Sequence, residues 1–270
     1  MRILFIGDIV ASLGRTTVSK ILPNLIKDDN ISLAIANGEN LAHGRGLTAE
    51  KVSEVLGFGV DFLTTGDHVF RIPGFAGEID SLPVIRPANW PQDTPGKGYH
   101  VLDLGKEGKV LLVNLLGTTH INGPTENPFY TIDKILEEFE KEKFKAIMVD
   151  FHAEVTSESR AFGFYVDGRV TAVFGTHSHV PTADAQILPN GTAYVTDVGM
   201  VGARDSVLGV EPQIIIDRFT KVPSQRFEWV EDGPSVFNSV LLEVDNKGKV
   251  ASFERLDKEV GPAQILNPKF

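Results

Sequence analysis

Seven histidines, His43, His68, His100, His120, His152, His177 and His179, are the first residues in this 270-residue chain that could do chemistry. Four of them stand in short polar clusters just beyond apolar, strand-like runs: Gly66-Asp67-His68, Asp150-Phe151-His152 and Gly175-Thr176-His177-Ser178-His179. Two further runs end in Gly7-Asp8 and in Asn37-Gly38-Glu39-Asn40. A lone histidine is more often a surface or hydrogen-bonded core residue than a ligand. The joint pattern says more. If the strands are parallel, Asp8, Glu39, Asn40, Asp67, His68, His152, His177 and His179 converge on one edge of a sheet, where open α/β sheets bind ligands. Three carboxylates gathered there raise one another's pKa, and a pair of divalent cations removes that penalty. Mixed carboxylate, amide and imidazole donors suit iron, manganese, zinc or a mixture. The chain has no cysteine. Disulfides, thiolate nucleophiles, Cys-ligated zinc and iron–sulfur clusters are thereby excluded, and a metal must rest on His, Asp, Glu or Asn.

The elements that must position these residues are legible as apolar runs. Arg2–Ile6, Leu33–Ala36, Val60–Thr64, Ala146–Asp150, Val170–Phe174 and Ala193–Thr196 read as buried strands. Val18, Ile21, Leu22, Leu25 and Ile26 fall at helical spacing, with Pro23 expected to kink or interrupt that helix. Thr48 is an N-cap for a helix carrying Val52, Val55 and Leu56. Ile132–Lys143 reads as a charged amphipathic helix. Tyr99–Leu104 and Lys109–Leu116 pair around Gly105-Lys106-Glu107-Gly108, and Val236–Val244 and Val250–Leu256 form a hairpin around Asn246-Lys247-Gly248. Pro83–Pro95, with four prolines, is an irregular crossing. This alternation predicts an α/β fold. With no repeat, low-complexity tract or linker, it also predicts a single domain over residues 1–270.

Composition bounds the function. Hydrophobic residues make up 42% and charged residues 23%, an ordinary globular balance. Lys+Arg is 26 and Asp+Glu is 36, a formal net charge of −10. That argues against a long nucleic acid as partner. It leaves room for a small anionic substrate, because a metal supplies positive charge locally. The apolar run in MRILFIGD is too short for a signal peptide, and no stretch of about 18 apolar residues is present to cross a membrane. A cytoplasmic protein without a membrane partner is expected.

The runs GDIVASLGR at 7–15, NGEN at 37–40, GDH at 66–68, RPANWP at 86–91, DFHAE at 150–154, GTHSHVPTAD at 175–184 and TDVGM at 196–200 closely resemble the YmdB-like branch of the calcineurin-like metallophosphoesterases. They occur in order across about the first 215 residues. The resemblance implies a four-layer α/β/β/α sandwich of the metallo-dependent phosphatase type. It implies two divalent or transition metal ions, iron or manganese first and zinc or magnesium second. It also implies hydrolysis of a small phosphodiester, notably a 2′,3′-cyclic nucleotide, and is compatible with a homo-oligomer. Carried over by motif, Asp8, Asn40 and His179 bind the first metal, Glu39 bridges both, and Asp67, His152 and His177 bind the second. A metal-bridging hydroxide attacks phosphorus, and His68 donates a proton to the leaving oxygen.

Arg15 and His43 are weaker candidates for substrate contact; a solvated helix residue and a surface loop residue are the bland readings. Asn89 and Trp90 could supply a base-stacking platform, and Arg204 with Asp205 could help close the site. His100 and His120 receive no role. A broader phosphoesterase acting on phosphoproteins or RNA ends, or a metal-bound regulatory scaffold, are the competing readings. The presence of both Glu39 and His68 favours catalysis over the scaffold. A nucleotide-binding module has less support: Gly7–Gly14 lacks the Walker Lys-Ser/Thr, and no G-x-G-x-x-G follows the first strand.

The chain departs from the wider superfamily at Ile9-Val10, where Asp-x-His is usual, and at Asp67, where Gly-Asn-His is usual. Asp67 adds one negative charge to the centre. Tighter binding of hard cations and a less acidic bridging water are therefore expected. Metal analysis and pH–rate profiles of Asp67→Asn check this, and identical behaviour of the two proteins would refute it.

Overall fold

The computed structural model describes residues 1–121, 123–222 and 225–261; residues 262–270 of the expected domain lie outside the described residues. The first elements are β1 (Arg2–Ile6), β2 (Asp8–Ile9), α1 (Ala11–Asp28), β3 (Leu33–Asn37), α2 (Ala49–Leu56) and β4 (Phe62–Thr64). The middle holds β5 (Tyr99–Asp103), β6 (Lys109–Leu116), α3 (Pro128–Glu138), β7 (Ala146–His152), α4 (Thr156–Tyr165) and β8 (Ala172–Thr176). There follow β9 (Gln186–Ile187), β10 (Ala193–Val195), β11 (Met200–Ala203), α5 (Pro212–Thr220), β12 (Ser235–Phe237), β13 (Ser239–Val244), β14 (Val250–Arg255) and β15 (Lys258–Val260).

Alternation along the strands sorts the core into layers. In the sheet β14-β13-β1-β3-β4, the side chains of Ile3, Phe5, Leu33 and Ile35 face one way and those of Leu4, Ile6, Ala34 and Ala36 the other. The second set packs on Val18, Leu22 and Leu25 of α1 and on Val52 and Val55 of α2. The first set meets Val110, Leu112, Met148, Ala172 and Phe174 of the sheet β5-β6-β7-β8-β10-β9. Phe5 stacks on Phe174 across that seam with ring centroids 4.3 Å apart. The far face of the second sheet buries Leu111, Val113, Phe151 and Val173 against Ile132 and Ile135 of α3 and Phe162 of α4. Helices, sheet, sheet, helices is the four-layer α/β/β/α sandwich that the motifs implied.

A third, smaller sheet, β15-β12-β11-β2, continues past the end of the first. The chain passes from the first sheet into it at Gly7, between β1 and β2, and back to the first at Asn238, between β12 and β13. Val236–Val244, which reads as one strand, is thus two strands in two sheets. The two crossing points are joined, since Gly7 N–H donates to the Asn238 carbonyl at 3.1 Å. Other boundaries also shift. The Ile132–Lys143 helix begins earlier, at Pro128 behind the Asn127 cap, and ends at Glu138. Helix α1 runs through Pro23 without stopping there. Pro23 lies on the exposed face, where water can meet the carbonyl that its ring deprives of a donor. Thr48 caps α2 as expected, accepting from Lys51 N–H at 3.3 Å. Among the described residues, no helix is long and apolar enough to cross a membrane.

Gly7 has no room for a side chain, because a methyl group there would overlap the Gly199 carbonyl. Gly7→Ala is expected to lower stability by roughly 3 kcal/mol or more, read as a fall in the urea midpoint. A midpoint within ~0.5 kcal/mol of wild type would contradict the close approach.

Candidate metal centre

Each chemical residue sits where a strand gives out. Asp8 opens β2, and Glu39 and Asn40 lie in the turn after β3. Asp67 and His68 follow β4, His152 closes β7, and His177 and His179 follow β8. β1, β3 and β4 are parallel in one sheet, and β7 and β8 are parallel in the other. The eight residues therefore meet across two facing sheets rather than along one edge, as a single sheet would have required.

One ligand atom from each of Glu39, Asp67, His152 and His177 lies within 4.8 Å of the others. Asp8, Asn40 and His179 flank Glu39. Asn40 Nδ2 donates to Glu39 Oε1 at 3.2 Å and lies 3.2 Å from His179 Nε2, which is 3.9 Å from Asp8 Oδ1. His68 N–H donates to Glu39 Oε2 at 3.0 Å, and His68 Nδ1 lies 2.9 Å from Asn40 Oδ1. Asp8 and Glu39 are almost wholly buried, at 0% and 1% exposure. Asp8 Oδ1, Asp67 Oδ1 and His179 Nδ1 are buried without a hydrogen-bond partner. Buried polar atoms are rarely left so; the two orphaned carboxylate oxygens face His179 Nε2 and the His152 and His177 rings at 3.7–3.9 Å, a spacing that fits a cation between them.

The ring nitrogens say the same. Thr176 Oγ–H donates to Asp150 Oδ1 at 2.7 Å, so its oxygen is open to accept from His152 Nδ1–H at 2.8 Å. His177 Nε2–H donates to Glu154 Oε2 at 2.8 Å. The nitrogens left over, His152 Nε2 and His177 Nδ1, are 3.0 Å apart. Two lone pairs facing at that distance need a proton or a metal between them. Burial alone would lower the His152 pKa, but Glu39, Asp67 and Asp8 outweigh it and hold it well above the usual imidazole range. Burial then pushes His179 down to about 4, and burial together with the charge on His152 lowers His177. Burial raises the Asp8 carboxyl, and His152 only partly offsets it.

Local backbone is shaped to hold this arrangement. His177 and His179 have φ of +110° and +65°, a region that non-glycine residues seldom occupy outside functional sites. Asp197 pins their loop by accepting from Ser178 N–H at 2.8 Å and from Gly199 N–H at 2.6 Å. At Gly66, a methyl group would overlap both the Glu39 carboxylate and the His152 ring. The glycine of the Gly-Asp-His cluster is therefore a space requirement.

Other candidates lie elsewhere. Arg15 is neither solvated nor at the centre: its guanidinium is buried, donating to the Leu41 carbonyl and to Glu54 Oε1 at 3.1 Å. Asn89 is a buried brace, its amide donating to the Leu116 and Glu126 carbonyls. Trp90 packs on Phe70 in the core beneath α1 and α2, so neither residue forms a base platform. Arg204 pairs with Asp205 and Glu259. His43 is exposed and lines an outer cavity that holds none of the eight residues. Sequence reasoning missed Glu154, although DFHAE contains it. It also missed Arg45, Arg218, Phe219, Phe227 and Trp229, which share a cavity of about 420 Å³ with Glu39, Asn40, His68, His177 and His179.

Residues 4–256 match the family described as YmdB-like protein. The chain belongs to that family. A relative from Bacillus subtilis (strain 168), named 2′,3′-cyclic-nucleotide 2′-phosphodiesterase, is 44% identical over 253 residues, 93% of this chain and 94% of that protein. The crystal structure of a Thermus thermophilus protein matches with a TM-score of 0.89 at 39% identity, covering 96% of this chain and 99% of that one. A Mycoplasma pneumoniae structure described as a novel phosphatase matches with a TM-score of 0.89 at 35% identity, covering 97% and 95%. The YmdB-like resemblance and the sandwich architecture drawn from the motifs are both borne out.

Glu154 fixes which nitrogen of His177 faces the centre. Glu154→Ala is expected to weaken metal binding by ~10–100-fold, the usual effect of losing such a carboxylate, with Glu154→Gln retaining most of it. Metal titration of the purified variants checks this, and wild-type affinity in Glu154→Ala would exclude the role.

Proposed function

We propose that this YmdB-like protein is a dinuclear-metal phosphodiesterase that hydrolyses 2′,3′-cyclic nucleotides. The convergence of Glu39, Asp67, His152 and His177 within 4.8 Å, with Asp8, Asn40 and His179 beside Glu39, carries the reading. The name of the Bacillus subtilis relative supports the substrate class.

Glu39, Asp67, His152 and His177 would hold one ion, and Asp8, Asn40 and His179 the other, with Glu39 shared. Iron or manganese suits the oxygen and nitrogen donors best. Bound there, the metals would make a water nucleophilic near neutral pH and offset charge growing on the phosphoryl oxygens. His68 supplies the proton. Its side chain is 22% exposed and lines the same cavity, and an imidazole nitrogen is a fitting proton donor. Asn40 Oδ1, 2.9 Å from His68 Nδ1, orients the ring. Opening the cyclic ester breaks one P–O bond. The water oxygen joins phosphorus, and the ribose oxygen leaves with the His68 proton, the leaving group staying tethered. A wider phosphatase activity on the same centre is the second reading, favoured by the description of the Mycoplasma pneumoniae structure.

His68→Ala is expected to lower turnover by ~10²–10⁴-fold and to keep its metal. His152→Ala and His177→Ala are expected to lose metal. Elemental analysis, with hydrolysis of 2′,3′-cyclic, 3′,5′-cyclic and linear diesters and of phosphomonoesters, separates these outcomes. Equal metal loss in all three variants would break the division of roles, and inactivity of the metal-loaded protein on every ester would remove the enzyme reading.

A further inference from the structure

The cavity that opens over the ligand cluster is asymmetric. Its floor is Glu39, Asn40, His68, His177 and His179, with Glu154 at the side. Its wall is apolar, built by Val207, Leu208, Ile215, Phe219, Phe227 and Trp229. Phe219 is 84% exposed, unusual for a large apolar residue unless something covers it. The guanidinium carbons of Arg45 and Arg218 lie over the Phe227 ring, 5.2 and 5.1 Å from its centroid. Arg15, Arg169, Arg204 and Arg255 each pair with a carboxylate. Arg45 and Arg218 have no such partner among the described residues. Beyond them, a second cavity of about 1070 Å³ continues outward; it carries Arg45, Arg218 and Arg226 on its lining, and also Glu211, Glu228, Glu231 and Asp232, so the arginines rather than the cavity as a whole offer positive charge.

This is more equipment than one cyclic phosphate needs. A base stacks on exposed aromatic surface, and two arginines free of carboxylates are suited to a phosphate. With the scissile phosphate on the ligand cluster, a phosphate at Arg45 and Arg218 is a second one on the same molecule. We propose that Arg45 and Arg218 bind the 5′-phosphate of the nucleotide whose 2′,3′-cyclic phosphate is opened, so that the substrate is the 3′ end of an RNA of two or more nucleotides. The outer cavity gives the preceding nucleotide room. This rests on the phosphodiesterase reading, but it names two residues and a substrate feature that the reading does not require.

The test compares kcat/KM for adenosine 2′,3′-cyclic phosphate, its 5′-phosphorylated form and a dinucleotide ending in a 2′,3′-cyclic phosphate. The two substrates with a 5′-phosphate are expected to be favoured at least tenfold. Arg45→Ala and Arg218→Ala are expected to bring that ratio close to one, chiefly through KM, and added salt is expected to shrink it in wild type. Preference for the dinucleotide over the 5′-phosphorylated mononucleotide identifies the RNA end as the ligand; equal use of the two overturns that part of the proposal. A wild-type ratio of one, or a ratio that survives both substitutions, overturns the whole. If no cyclic ester is hydrolysed, the enzyme reading fails by itself. The arginines are then judged by tryptophan fluorescence, since Trp229 lines the cavity. Adenosine 3′,5′-bisphosphate must bind wild type more tightly than the 3′-monophosphate does, and both Arg variants must lose that difference, or the proposal falls.

Discussion

Burial of acidic groups between two sheets is the constraint on which the rest of this molecule depends. Asp8 and Glu39 are withdrawn almost entirely from water, with Asp67 beside them. Charges so placed are costly unless they are paired and hydrogen-bonded. The carboxylates hold the His152 pKa well above the usual imidazole range, and the buried chain from His152 through Thr176 to Asp150 keeps the ring turned toward them. What cost remains is a cation's to offset. The left-handed backbone at His177 and His179, the missing side chain at Gly66 and the Asp197 brace are the local distortions that let so many donors share one space.

How much of this was legible beforehand follows from where each signal lives. The ligands announced themselves because each interrupts an apolar run with a residue type that a strand end does not need for packing. Buried parallel strands are the easiest elements to read from a run, and β1, β3, β4, β7 and β8 carry all the turns that matter. What escaped depends on tertiary geometry. Val236–Val244 has the pattern of one strand, and nothing in that pattern marks Asn238 as the point where the chain leaves one sheet for another. Arg15 resembles a residue free to meet a phosphate; its burial against Leu41 and Glu54 comes from the docking of α1 on the loop before α2. Arg218 and Phe219 sit on α5, and Arg45 and Phe227 in loops without periodicity; they become a cavity wall only because two distant stretches of chain fold over the same opening.

The charge balance takes on a different meaning in this light. A net −10 describes a surface that repels long polyanions. Yet Asp8, Glu39 and Asp67 contribute three of those formal negative charges at one largely buried point, where a carboxylate and imidazole cluster could hold a cation. Around the opening above them, Arg45 and Arg218 form no ion pair among the described residues, although Glu154 and, further out, Glu211, Glu228, Glu231 and Asp232 line the same cavities.

The seam at Gly7 and Asn238 bears on how the protein comes into being. Asp8 is held in place by β11, pairing with Met200, and the strand before it is hydrogen-bonded to β13 through Arg2–Glu243 to Ile6–Ser239. Asp8 therefore depends on residues as far along the chain as Met200 before it has a strand to join. Such long-range pairing is slow to form and leaves its partners exposed meanwhile. Until β11 and β13 are in place, Asp8 lacks the strand it pairs with and β1 lacks one of its two neighbours, so the cluster of candidate metal-binding residues is completed by long-range pairing rather than by local folding.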